Sequence, residues 1–169
     1  MELDKLSPVE QALVKKHNLD PSHFWELNRG SKKQLLILHK TVQLIARAEG
    51  VTCNFVVVES NIDKGVSVVL ATAKLKNKVV ESLGEAHPRN NKNAYPTAMA
   101  QKRAYDRAVC ELLGISVYSE SDLVKKDDGS WDFAEPSNFD EAEKEEQKKK
   151  TKEQKIAEAM VENQELESA

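Results

Sequence analysis

The residues of this chain best suited to chemistry are basic side chains clustered between positions 74 and 107. Phosphate groups bind where positive charge follows a surface, and flat rings add stacking for bases. Asn90, Asn91 and Asn93 add neutral hydrogen-bond donors, and His87 and Tyr95 add rings. If the elements that carry them pack together, we expect one groove lined by eight charges: Lys74, Lys76, Lys78, Arg89, Lys92, Lys102, Arg103 and Arg107.

A purely structural explanation of the same charges stays open. Lysines at the tip of a hairpin protect the edge of a sheet and keep a surface soluble. Lys102 stands four residues before Asp106, which is the spacing of an ion pair within one helix. The charges alone therefore favour nucleic-acid binding without deciding it.

Motifs typical of catalysis do not occur in the sequence. The four histidines are scattered and match no metal-binding spacing, and no phosphate-binding glycine loop is present. Cys110 stands near Arg107, which could lower the pKa of its thiol, but a plain structural or surface cysteine is the favoured explanation. Glu81 and Glu85 share one face of a predicted strand. They could form an acid–base or metal-binding pair, but ion pairs with neighbouring lysines are the simpler explanation. We predict that the protein is not an enzyme and uses no metal and no cofactor.

Charge is distributed unevenly along the chain. The net charge is −3, but residues 1–114 carry 17 Lys and Arg against 12 Asp and Glu, whereas residues 115–169 carry 8 against 16. A basic first part attracts phosphate, and an acidic tail also suits a solubilising role. The two cysteines, Cys53 and Cys110, indicate reduced thiols. Without a long apolar run or a signal peptide, we expect a cytoplasmic protein with no membrane partner.

The first fifty residues carry three helix-start patterns. Ser7-Pro8-Val9-Glu10 is a capping box, and Asp20-Pro21 predicts a second, shorter helix that ends near Gly30. Residues 31–34 form another capping box, before apolar residues at helical spacing and a stop at Gly50. Phe24 and Trp25 would pin the N-terminal segment onto the core, with base stacking as the alternative.

The pattern changes to strands after Val51. Residues 55–58, 66–75 and 79–85 read as three strands with short links, which form an antiparallel meander. A helix begins at Tyr95-Pro96 and ends at Gly114, with Arg103 and Arg107 predicted to lie off its core face. We predict an α+β fold with an N-terminal helical segment (1–30), a β-β-β-α core (31–118) and a charged tail, disordered or helical (119–169).

The core sequence resembles the Rad52-like single-strand annealing proteins, and the phage recombination proteins of that superfamily most of all. The residues that carry the resemblance are 66–75 and 79–86 in two strands, and 98–104 and 107–109 in the last helix. The similarity covers roughly residues 34–114. It implies a protein that forms rings or filaments, binds single-stranded DNA without ATP and promotes pairing of complementary strands.

The resemblance also implies roles for particular residues. Lys102, Arg103 and Arg107 would grip phosphate, as would the hairpin lysines Lys74, Lys76 and Lys78. Arg89, Lys92 and Tyr95 would close the groove. The acidic tail would compete with DNA or dock a single-strand binding protein or an exonuclease, and the setting would be the cytoplasm of a bacterial host. Two alternatives stay open: a nucleic-acid binder that does not anneal, and an adaptor that acts through its tail.

Overall fold

A three-stranded antiparallel meander with a long helix across one face organises the chain. The computed structural model describes residue 3 and residues 6–29 and 32–133, which fall within one unit spanning Met1–Glu135. The helices are α1 (Pro8–Lys16), α2 (His39–Glu49) and α3 (Pro96–Leu113). The strands are β1 (Phe24–Arg29), β2 (Lys32–Ile37), β3 (Thr52–Asn61), β4 (Val66–Leu75), β5 (Lys78–Ala86), β6 (Tyr118–Ser119), β7 (Leu123–Lys125) and β8 (Trp131–Phe133).

The meander has the strand order β3-β4-β5, and both pairs are antiparallel. Along β4 the residues Ser67, Val69, Ala71 and Ala73 are buried, while their neighbours on the opposite face are partly exposed. This alternation follows from the two-residue period of a strand with one face on the core. The α+β class, the antiparallel meander and the bounds predicted for β4 are confirmed.

α3 packs over β4 and β5 through small residues. Ala100, Ala104 and Ala108 are completely buried along one side of the helix. A methyl group at Gly84 of β5 would overlap the carbonyl oxygen of Ala100 and the amide nitrogen of Ala104. The absence of a side chain at Gly84 therefore lets the backbones of helix and strand approach closely.

The secondary structure of residues 20–50 differs from the two helices that were predicted there. Asp20 caps only a short 3-10 turn, Pro21–His23, and β1 and β2 then form an antiparallel hairpin. α2 begins at His39 and not within residues 31–34, although it ends at Gly50 as predicted, with φ +77° there. The missed sequence feature is Gly30-Ser31, a dipeptide typical of two-residue hairpin loops. Phe24 is buried in the main core, and Trp25 packs beside the smaller cluster of Leu27 and Leu36.

The chain beyond α3 is structured further than residue 118, where we predicted the tail to begin. β6 pairs in parallel with β2, a 3-10 turn follows at Glu120–Asp122, and β7 and β8 form a hairpin. The Trp25 and Trp131 rings meet edge to face, with centroids 5.4 Å apart. Residues 134–169, which hold the rest of the predicted tail, lie outside the described residues. No helix within the described part of the chain has the length and apolarity that spanning a membrane requires.

Candidate nucleic-acid interface

An open cleft of about 420 Å³ lies between α2, β3 and α3. Two cations, two amides and three rings line it: Arg47, Lys102, Gln43, Gln101, His39, Phe55 and Tyr105. Its volume is within the range of ligand-binding clefts in proteins. Only Lys102 of these seven residues belongs to the set that the sequence predicted.

Helical spacing explains why these side chains meet. His39, Gln43 and Arg47 recur every four residues along α2 and so form one stripe. Tyr105 faces that stripe from α3 and lies near Phe55 of β3, with ring centroids 6.2 Å apart. The cleft therefore forms only where α2, β3 and α3 pack together. No local pattern in the sequence predicts that packing.

His39 is held in place by a buried carboxylate. Its Nδ1 atom lies 2.6 Å from Oδ1 of Asp106, a residue with 0% exposure. The Ser119 hydroxyl donates to the other oxygen of Asp106 at 2.5 Å, and Ser119 and Ser121 share a further hydroxyl contact at 3.1 Å. The imidazole also meets the Tyr105 ring edge to face, at 5.9 Å. These contacts orient one ring at the wall of the cleft.

The thiol and the two carboxylates that the sequence offered for chemistry lie in structural surroundings. Burial raises the pKa of the Cys110 thiol strongly, so that Arg107 does not activate it. Glu81 accepts a hydrogen bond from the Thr72 hydroxyl, and Glu85 pairs with Arg107. Among residues 3, 6–29 and 32–133, no cluster of His, Cys, Asp or Glu is placed to hold a metal ion.

Lys102 contributes charge to the cleft but is partly neutralised. Its Nζ atom lies 3.2 Å from Oε1 of Glu120, and the side chain is 30% exposed. The alternative of an ion pair with Asp106 within the helix is not what the structure shows, because Lys102 pairs with Glu120 and Asp106 is engaged by His39 and Ser119. Arg47 is exposed at the end of α2 and is the other cation of the cleft.

Arg103 lies inside the protein, and the prediction that it points off the core face is wrong. Its exposure is 0%, and its guanidinium donates to the carbonyl oxygens of Ser121, Glu85 and Asn90 at 2.8, 2.7 and 2.7 Å. A fourth bond runs to the side-chain oxygen of Asn90 at 3.0 Å. Burial lowers the pKa of the guanidinium, although the nearby Asp122 carboxylate opposes this. Arg103 connects segments of the protein and does not present its charge to solvent.

Arg107 faces the edge of β5 and is also engaged. Its guanidinium lies 2.9 Å from Oδ1 of Asp122 and 3.2 Å from Oε2 of Glu85, and it donates to the Leu83 carbonyl oxygen at 2.8 Å. Burial alone would lower the pKa of Arg107, but the two carboxylates outweigh it and raise that pKa. Because one residue step turns a helix by about 100°, Lys102 lies on a different side of α3 from Arg103 and Arg107.

The remaining predicted cations lie at opposite ends of the meander. Lys76 and Lys78 are exposed at the β4–β5 turn, and Lys74 shares the strand face turned away from α3. Arg89 and Lys92 follow the other end of β5, which the strand register places roughly 27 Å away. The structure therefore divides the expected groove into four separate groups of charge: Lys102, the pair Arg103 and Arg107, the three hairpin lysines, and the pair Arg89 and Lys92.

The loop before α3 is folded on itself and buries two of the three asparagines that were predicted to offer amides to a ligand, whereas Asn93 is exposed. Asn90 and Asn91 are buried. The side-chain oxygen of Asn90 accepts from the His87 amide at 2.9 Å, and that of Asn91 accepts from the Asn93 amide at 3.0 Å. Tyr95, just before α3, is 72% exposed. Lys92 lies 3.5 Å from Asp127.

Comparisons with protein-family models, with curated proteins and with solved structures found no match to this chain.

Proposed function

We propose that this protein binds single-stranded DNA without ATP and promotes the annealing of complementary strands, as its Rad52-like resemblance implies. The observation that carries the proposal is the cleft, where Arg47 and Lys102 lie beside the rings of Phe55 and Tyr105. Cations that neutralise phosphate, together with aromatic faces that stack bases, are the chemistry of single-strand binding. The side-chain amides of Gln43 and Gln101 add hydrogen-bond donors and acceptors to the cleft. Such groups can bond to any base, so this binding does not require a particular base sequence.

The proposed path of the strand leaves the cleft toward the β4–β5 hairpin. β3 begins three residues after α2 ends, and Thr52 pairs with Lys74, which places the hairpin beside the end of α2 that carries Arg47. From the level of Phe55 to the turn at Lys76 and Lys78 the strands rise about 13 Å. We assign these two lysines, with Arg47 and Lys102, as the phosphate contacts. Arg103 is omitted because protein acceptors occupy its donors.

The annealing chemistry would be electrostatic. Two complementary strands repel one another through their phosphates, and counterions released from a neutralised strand favour its binding. A protein that holds one strand extended, with its phosphates partly neutralised, lowers the electrostatic barrier to pairing with the second strand. In this proposal the protein acts as an oligomer, in the cytoplasm of a phage-infected bacterium. Its tail would contact a single-strand binding protein or an exonuclease.

An annealing assay without ATP tests the proposal. Two labelled complementary oligonucleotides, one coated with single-strand binding protein, are mixed with the protein and their pairing is followed. We expect faster pairing than without protein, and a loss of that gain in the Arg47→Gln/Lys102→Gln variant. The matched control is Lys15→Gln/Lys64→Gln, which removes the same charge from exposed positions in α1 and the β3–β4 turn.

The outcomes separate the candidate functions. Binding of the oligonucleotide without faster pairing would replace annealing with plain single-strand binding. If the protein binds no oligonucleotide at low salt and none at moderate salt, the proposal is overturned. The remaining candidate is then an adaptor that acts through its tail. Equal loss in both double variants would show that overall charge matters and that the cleft does not.

A further inference from the structure

β3 is an edge strand with unusual exposure. It is ten residues long, and within the described residues only β4 pairs with its backbone. Val56, Val57 and Val58 at its centre are 59%, 54% and 60% exposed. Long apolar edges of this kind are templates for pairing with another chain, and natural proteins usually protect them with lysine or proline. β3 contains neither residue, and Glu59 is its one charge.

The opposite edge of the same sheet is obstructed near its C-terminal end. On β5 the carbonyl oxygens of Leu83 and Glu85 accept hydrogen bonds from the guanidinium groups of Arg107 and Arg103. These acceptors are therefore not available to a further strand. The meander has one partly obstructed edge and one open edge, and this asymmetry limits how copies of the chain can associate through the sheet.

We propose that β3 pairs with β3 of a second copy, in an antiparallel arrangement with two-fold symmetry. The apolar run from Phe55 to Val58 lies at the centre of the strand, so that two-fold pairing sets it against itself. The two Glu59 carboxylates then lie toward opposite ends of the pair, and like charges do not meet. Because Arg103 and Arg107 occupy two acceptors on each β5 edge, further strands add less readily to the six-stranded sheet there than at β3.

The expected contact is modest. A strand of this length spans roughly 33 Å, and a strip about 10 Å wide gives roughly 330 Å² for each copy. The total of roughly 660 Å² is below the size of standard stable interfaces. The main-chain hydrogen bonds and the buried valines therefore support a dimer that forms and dissociates with concentration. The bulge between Val57 and Glu59 twists the end of β3 and limits the length of the ladder further.

The pairing has a consequence that rests on the proposed function. A two-fold axis normal to the sheet leaves α3 of both copies on the same face. Phe55 belongs both to β3 and to the wall of the cleft, so the two clefts flank the seam between the copies. They also run in opposite directions, which is the relation that two complementary strands require.

Sedimentation over a wide concentration range tests the pairing, with wild type compared against Val56→Lys and Val58→Lys. We expect wild type to shift from monomer to dimer, and both lysine variants to remain monomers with unchanged circular dichroism. The control is Val79→Lys, which places the same charge on β5 at a position 55% exposed and should still form dimers. A wild type that stays monomeric at the highest concentration would overturn the proposal. So would a dimer or a larger assembly that the β3 variants leave intact.

The same samples separate this inference from the proposed function. Binding of a thymidine oligonucleotide is measured for wild type and Val56→Lys. Dimerisation through β3 without any DNA binding would remove the proposed function and leave the interface. Binding by a wild type that never dimerises would remove the interface and leave the function.

Discussion

The guanidinium of Arg103 donates a hydrogen bond of 2.7 Å to the carbonyl oxygen of Glu85, at the end of β5. The same side chain bonds Asn90 in the loop before α3 and Ser121 after it. Three chain segments, distant in sequence, therefore meet at one buried cation on α3. A side chain that the sequence suggested as a DNA contact is in the structure a connector of the fold.

Arg103→Ala should destabilise the protein strongly. The substitution removes a donor from four acceptors, of which the Asn90 side-chain oxygen keeps the His87 amide, and it opens a cavity. Breaking such a charged network costs about 3–5 kcal/mol. Urea unfolding followed by circular dichroism measures the loss. Arg103→Lys should not restore stability, since one ammonium cannot reach all three segments. Lys78→Ala, at an exposed position of the hairpin, is the control. A loss below about 1 kcal/mol would contradict the connecting role.

Gly84→Ala should also unfold or strongly destabilise the chain. The added methyl group meets backbone atoms of Ala100 and Ala104, which cannot rotate away. Overpacking of this kind costs about 1–3 kcal/mol or more. Gly50→Ala serves as the comparison, because its φ of +77° is strained for alanine but nothing lies within 4 Å of the new methyl group. Equal thermal stabilities of the two variants would show that α3 moves off the sheet at little cost.

Salt dependence should identify which cations contact DNA. For single strands the slope of log K against log salt changes by about 0.7 for each phosphate that the protein no longer neutralises. Arg47→Gln and Lys102→Gln should therefore each reduce the slope by about that amount, and Lys78→Gln should do so if the strand reaches the hairpin. Titration of a fluorescent oligonucleotide at several salt concentrations measures it. An unchanged slope in all three variants would place the DNA-binding cations elsewhere.

Glu10 should make stability depend on pH. Its carboxylate accepts bonds from the Ser116 and Val117 amides at 2.7 and 2.9 Å, and its other oxygen accepts from the Ser7 amide at 2.8 Å. Burial alone would raise the pKa of Glu10, but hydrogen bonds from Ser7 and Ser116 outweigh it and lower that pKa below its ordinary 4.5. The stabilisation is then complete above the unfolded pKa and disappears as pH falls through the folded one.

Glu10→Gln should accordingly lower the free energy of unfolding by about 1–2 kcal/mol at neutral pH, because bonds to a charged acceptor are stronger than bonds to a neutral one. The difference from wild type should disappear well below pH 4.5. Denaturant titrations at several pH values measure both quantities. Glu111→Gln, on the exposed side of α3, controls for the loss of a charge. A difference that persists in acid would show that Glu10 acts through packing and not through its charge.

Local features of the sequence determined much of the secondary structure. Ser7 and Glu10 form the predicted capping box, and the alternation in residues 66–75 and the glycine at 114 predicted the bounds of β4 and the end of α3. Each depends on neighbours a few residues apart, so that period and capping chemistry suffice to find it. The α+β class follows from the order of these elements.

Only the tertiary structure decided which polar residues are buried and which meet at a site. A helical wheel groups Arg103 and Arg107 on one side of α3, but it does not show that β5 and residues 119–122 cover that side. His39 and Asp106 are far apart in sequence but in contact, and Phe55 of β3 lines the same cleft as His39. The burial of a polar side chain and its position in a site both depend on contacts between segments that are distant in sequence. These contacts form when hydrophobic surfaces pack together, and the local periodicity of the sequence does not predict them.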